Sequence, residues 1–191
     1  MCPQGMESEG DFKMKKFIPF IIMVMVVLGV LVGVYFVQKS MDESGPPSIM
    51  FSATDRNGTH YSESVFSENK ITMVNMWEPW CGPCVREMPD IQKLYAKYKD
   101  QGFMVIGVYS STDMEPQVDQ VLSSARVTYP IIPYTSSFVR FKTGSVPTSF
   151  FVDSKGHIID MNISKSKSGE PVVVGARSYA DWEALIKPYL K

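Results

Sequence analysis

Cys81 and Cys84 stand two residues apart in Trp80-Cys81-Gly82-Pro83-Cys84. Thiols at this spacing interconvert with a disulfide, and a thiolate at the first position can attack a disulfide in another molecule. The flanking pattern supplies a place for that chemistry. Residues 71–77 (Ile-Thr-Met-Val-Asn-Met-Trp) predict a buried strand. Downstream, Val85, Met88, Ile91, Leu94, Tyr95 and Tyr98 recur at helical spacing, which predicts a helix over 82–100. The first cysteine then opens a helix, where unpaired backbone N–H groups favour its thiolate. Cys84 falls one turn later, more buried, placed to attack a mixed disulfide. Pro83 suits the first turn, where its missing N–H has no intrahelical acceptor to lose.

Two other uses of the pair compete. A zinc site normally takes four ligands, and the remaining candidates are Cys2, His60 and His157, the two histidines in expected turns. A purely structural disulfide over so short a loop would add little stability.

The 191 residues are 45% hydrophobic with a formal net charge of −1, enough for one medium domain and an appendage. Beyond Lys13, Lys15 and Lys16 there is no basic run, so nothing points to nucleic acid. The basic stretch 163–169 reads as a solvated loop. The appendage is residues 17–37, an uncharged run long enough for a transmembrane helix, with Pro19 expected in its first turn. The three lysines precede it and Lys39 alone follows closely, which predicts a cytoplasmic N-terminus (residues 1–16) and an external cysteine pair. The run's length and the lack of an Ala-x-Ala-type site favour an uncleaved anchor. Met14 is a candidate start, which would leave residues 1–13, with Cys2, outside the natural chain. Residues 38–48, with Gly45, Pro46 and Pro47, read as a stiff tether to a domain at 49–191.

Within that domain, 49–61 suggests a hairpin turning at 55–58, and 62–69 a connector with a helical turn. Pro89 is expected to kink or interrupt its helix, and Gly102 to cap the end. Further strands are expected at 103–109, 129–132 and 148–152, the last forming a hairpin with 157–162. Helices are expected at 116–126, 137–142 and, behind Ser178 as N-cap, 179–190. The alternation predicts an α/β fold with a mixed sheet.

In this order the motifs resemble the thioredoxin superfamily, and more closely its membrane-anchored TlpA/ResA-like branch. The resemblance covers about residues 46–191. It rests on Val74-Asn75-Met76-Trp77 before the cysteine motif, Glu87-Met88-Pro89 after it, a helix–strand insertion at 111–133, and Gly144-Ser145-Val146-Pro147-Thr148 before the hairpin. It implies a thioredoxin-like fold: a mixed sheet flanked by helices, with an N-terminal β-hairpin and the central insertion, behind one transmembrane helix. It also implies a redox disulfide between Cys81 and Cys84 and a cis Val146–Pro147 bond facing them. Trp80, Gly82, Pro83, Val146 and Thr148 are then expected to meet substrate, and no metal or other cofactor is called for. Val85 stands where thioredoxin usually has a lysine, and is expected to join an apolar docking patch with Trp80, Val146 and Pro147.

One departure bears on mechanism. Thioredoxin carries a buried aspartate six residues before its first cysteine, where this chain has Asn75. The branch resemblance puts Glu87 in its place as proton acceptor for Cys84, on roughly the same helical face. The bland role for Glu87 is to complement the helix dipole. Glu78 either tunes the thiolate or is simply solvated, and the solvated reading is preferred.

The function expected is an extracytoplasmic thiol–disulfide oxidoreductase working as a reductant. The resemblance implies disulfide-bearing clients such as apocytochrome c or a methionine sulfoxide reductase, and re-reduction by a membrane thiol donor of the CcdA/DsbD type. The same chemistry run as a disulfide-forming oxidase is the alternative. A metal-delivery assembly factor fits less well, because such proteins use a wider cysteine spacing and a distal histidine.

Overall fold

The computed structural model describes the backbone of residues 9–42 and 49–191, and the side chains of 19–37 and 49–191. The chain divides into two units, Met1–Gly45 and Pro46–Lys191.

The first unit contains one long helix, α1 (Glu9–Asp42). Its stretch Pro19–Val37 has a mean hydropathy of 3.0 and is long and apolar enough to cross a membrane. No polar stripe interrupts it. The helix starts before residue 17, so Pro19 lies inside it and not in its first turn. It also continues through Asp42, so the first five residues expected in the tether are helical. Residues 43–48 of the tether, and Cys2, lie outside the described residues.

The second unit is built on a mixed sheet. A two-stranded hairpin, β1 (Ser52–Thr54) and β2 (His60–Ser62), and a short α2 (Ser64–Ser67) come first. Then follow β3 (Ile71–Met76), α3 (Gly82–Tyr98), β4 (Phe103–Tyr109), α4 (Glu115–Ala125) and β5 (Ile131–Pro133). After a 3-10 helix at Ser136–Phe141 come β6 (Thr148–Asp153), β7 (Ile158–Ile159), β8 (Ser164–Lys165), β9 (Pro171–Val174) and α5 (Tyr179–Ile186). The strand order is β5-β4-β3-β6-β9-β8, with β7 also on β6. β3 runs parallel to β4 and antiparallel to β6.

β3 is buried along its whole length, as a central strand covered on both faces must be. Its period of two sorts the residues. Ile71, Met73 and, just past the strand end, Trp77 pack with α3, α4 and α5; Val74 and Met76 pack with the hairpin, α2 and the 3-10 helix. Asn75 shares its parity with Met73 and Trp77, so the strand aims it at α3. α3 buries Cys84, Glu87, Met88, Ile91, Leu94 and Tyr98, a stripe that leaves Val85 and Tyr95 only half-buried. Pro89 does not end the helix; it is exposed to solvent, where its missing N–H costs least. A left-handed Gly102 (φ 94°) closes the turn after α3, as expected. Gly107, opposite Asn75 in β4, lets the layers approach closely: a Cβ there would stand 2.4 Å from Ile131 Cδ1 and 3.3 Å from Trp77 Nε1.

The final strands differ from expectation. Only two residues of 157–162 pair with β6. The stretch 163–169 is not wholly a solvated loop. It contains β8, and Ser166 is buried with its hydroxyl donating to the Arg140 carbonyl at 2.6 Å. β9, unexpected from sequence, pairs with β6 beside the cysteine end of the sheet.

Candidate active site

Cys81 is the N-cap of α3, with extended backbone (φ −85°, ψ 98°), and its Sγ accepts the Cys84 N–H at 3.2 Å. The strand-to-helix turn thus aims an orphan helix N–H at sulfur instead of at a serine or aspartate oxygen. Pro83 stands in the first turn, as its missing N–H predicts. A disulfide joins Cys81 to Cys84. Cys81 keeps 5% of its surface exposed and Cys84 only 1%, so a partner reaches the first sulfur before the second. Trp80, Gly82 and Pro83 around it are exposed.

Across from this turn, the Val146–Pro147 peptide is cis. The Val146 carbonyl oxygen lies 3.5 Å from Cys81 Sγ. The loop that presents it is braced from within. The Ser145 N–H donates to Thr143 Oγ1 at 3.1 Å, and Thr148 Oγ1 donates to the Ser145 carbonyl at 2.7 Å. β9 braces it from outside, because the Gly175 N–H donates to the Pro147 carbonyl at 2.9 Å. Thr148, expected to meet substrate, is buried with its hydroxyl spent on this loop; what it supplies is the loop's shape.

Behind Cys84, one turn along the buried stripe of α3, Glu87 is 3% exposed. Burial pushes its carboxyl up from 4.5 to about 7, against the opposing pull of its hydrogen bonds. The Arg177 N–H donates to Oε2 at 3.1 Å, and Asn75 Nδ2 donates to Oε1 at 3.1 Å. The second Asn75 proton goes to Ser149 Oγ at 3.0 Å, its direct partner across the β3–β6 ladder. The Trp182 indole N–H, otherwise without a partner, adds a weaker attraction to the carboxylate. The charge of Glu87 reaches Tyr129, whose hydroxyl is pushed up first by its own burial and then by that charge. Glu87 is therefore a buried, adjustable proton site and not an exposed partner of the helix dipole.

Glu78 corrects a second expectation. It is buried, not solvated, and its two oxygens accept the N–H groups of Ser110 (2.9 Å) and Ser111 (3.1 Å). Its backbone carbonyl accepts the Cys81 N–H at 3.0 Å, and Trp80 Nε1 donates to Ser111 Oγ at 3.2 Å. Glu78 thereby ties the cysteine turn to the segment after β4. The sequence signal for Glu78 was a carboxylate wedged between Trp77 and Pro79. For the Asn75–Ser149 bridge it was a polar residue inside an apolar strand. The Arg177 donor, a main-chain group from a distant loop, left no signal.

The geometry offers a sulfur at a helix N-terminus, a backbone carbonyl facing it, a second sulfur behind, and a proton site deeper still. Residues 42–176 match the Redoxin family. The thiol-disulfide oxidoreductase ResA of Oceanobacillus iheyensis is 38% identical over 93 residues, 48% of this chain and 48% of that relative, so the chain spans about half its length. The ResA of Bacillus cereus is 28% identical over 133 residues, covering 69% of this chain and 76% of that one. A thioredoxin-family thiol:disulfide interchange protein from Chlorobium tepidum superposes with a TM-score of 0.61 at 27% identity, over 76% of this chain and 97% of its own. The chain belongs to the Redoxin family, as a ResA-like thiol–disulfide oxidoreductase of the thioredoxin superfamily.

Proposed function

We propose that this chain is a membrane-anchored reductant of disulfides in extracytoplasmic client proteins. In the reduced form, Cys81 thiolate attacks one sulfur of a client disulfide. A Cys81–client bond forms, and the other client sulfur leaves as a thiolate that takes a proton. Cys84 gives its proton to the Glu87 carboxylate and attacks Cys81 sulfur. The first client sulfur then leaves, the Cys81–Cys84 disulfide forms, and two electrons have passed to the client. A carboxyl held at about 7 suits this exchange near neutral pH, since it is neither fully charged nor fully protonated there. Trp80, Gly82, Pro83 and Val146 form the surface the client meets.

The observation that carries the reading is the sequence in depth: exposed edge of Cys81, buried Cys84, buried Glu87. The apolar span of α1 and the three lysines that precede that span support an anchor at 17–37 with the N-terminus in the cytoplasm. Apocytochrome c and methionine sulfoxide reductase are the client classes proposed, with a CcdA/DsbD-type protein as electron donor. Cys84→Ser should trap clients on Cys81 of the full-length protein as bands on non-reducing gels that vanish with reductant. They should also be absent from a variant lacking both cysteines. An empty trap would contradict the mechanism.

A further inference from the structure

A cavity of about 510 Å³ is lined by Trp80, next to Cys81 in the chain, by Val146, whose carbonyl faces Cys81, and by Lys142, Gly144 and Lys167. We propose that this cavity selects client segments bearing a carboxylate next to the exchanging cysteine, received by Lys142 and Lys167. The proposal rests on the exchange reading above and adds to it a class of preferred client.

Three observations carry it. The two lysines come from separate segments that the fold holds together, with the Lys167 N–H donating to the Lys142 carbonyl at 3.4 Å. Both ammonium groups are held at the cavity. Lys142 Nζ lies 4.0 Å from the centre of the Tyr134 ring, itself part of the lining. Lys167 crosses Gly144, with Nζ 3.2 Å from where a Cβ would stand, two residues from the Val146 carbonyl that faces Cys81. The charges are also unbalanced. No ion pair joins either lysine to a carboxylate among the described residues, and Glu170 close by in sequence is paired with Arg140. Glu78 is the one acid of the lining, and its oxygens already accept two backbone N–H groups. The lip of the cavity thus holds two cations that an incoming anion would complement, within reach of a segment lying across Val146.

The test uses the full-length protein in detergent and three synthetic peptides closed by one internal disulfide. The peptides are identical except for Glu, Gln or Lys flanking each cysteine. The rate constant for exchange is followed by tryptophan fluorescence, at low and at high salt. The Glu peptide should react roughly two- to fivefold faster than the Gln peptide, the size of an exposed ion pair, and the Lys peptide slower still. High salt and the double variant Lys142→Gln/Lys167→Gln should each bring the Glu-to-Gln ratio towards one. Equal rates for all three peptides, or a preference that survives the double variant, would overturn the proposal. Disulfide exchange is reversible, so the same ratio can be read with dithiol peptides and the oxidised protein. A protein inert in both directions would overturn the exchange reading itself, an outcome distinct from exchange without selectivity.

Discussion

The face of the central sheet under α3 and α5 and the face under the hairpin and α2 are made of different materials. The second is a cluster of rings: Phe51, Phe66, Phe138, Phe141 and Phe150, with Phe141 stacked on Phe150 at 3.7 Å. The first is also mostly apolar, yet near the carboxyl end of β3 it admits Asn75, Ser149, Glu87 and both sulfurs. One face holds the fold, and the other gives up part of its apolar contact to keep a proton site beside a disulfide. Every buried polar side chain in that bridge has a partner, as a low-dielectric interior requires.

The comparison can be broken by substitutions on either side. The largest effect is expected from Phe138→Ala. It removes a ring 5.5 Å from Phe51 and 6.0 Å from Phe150 and should cost about 3–5 kcal/mol in denaturant unfolding. The thiol–disulfide equilibrium should hold its value, because the ring belongs to the opposite face. A shifted equilibrium would mean that the two faces are coupled.

Glu87→Gln should change stability in a pH-dependent way. Between 4.5 and about 7 the folded chain binds more protons at Glu87 than the unfolded chain. Its stability contribution is complete below the lower value and is lost as pH rises through the upper one. Relative to the native chain, the Gln variant should therefore gain ~3 kcal/mol on going from acid to mildly alkaline solution, while resolving the mixed disulfide more slowly. A flat difference across that range would remove Glu87 as a buried proton site. The smallest effect is expected from Asn75→Ala, about 1–3 kcal/mol for the broken bridge. Because the Asn75 hydrogen bond pulls the Glu87 carboxyl down, its loss should move that titration higher, visible as a later fall of stability with pH.

How much of this was legible in the sequence follows from the range of the interactions. β3, α3 and β4 could be read to within a residue or two because an apolar run or stripe defines each one locally. The left-handed end at Gly102 and the capping box of Ser178 with Asp181 are likewise local signals. β9 was hidden: four residues opening on a proline, after a polar stretch, become a strand only because β6 offers them an edge. The last helix shortens because Pro188 belongs to the 3-10 turn that follows Ile186. The cysteines, Pro147 and Glu87 stood out by residue type and order. What surrounds Glu87 did not, since the Arg177 N–H reaches it across 90 residues of chain and Ser149 meets its neighbour Asn75 across 74. Glu78 was misread because the donors to its carboxylate are main-chain N–H groups, which sequence does not display.

The account turns on a Cys81–Cys84 pair that gives electrons to clients, and the reduction potential of the full-length protein tests it most directly. Equilibration in thiol/disulfide buffers can be followed through Trp77 and Trp80, which lead into the cysteine turn. The account predicts a potential near that of thioredoxin, about −270 mV. A value near that of DsbA, about −120 mV, would contradict it and make the chain a disulfide-forming oxidase.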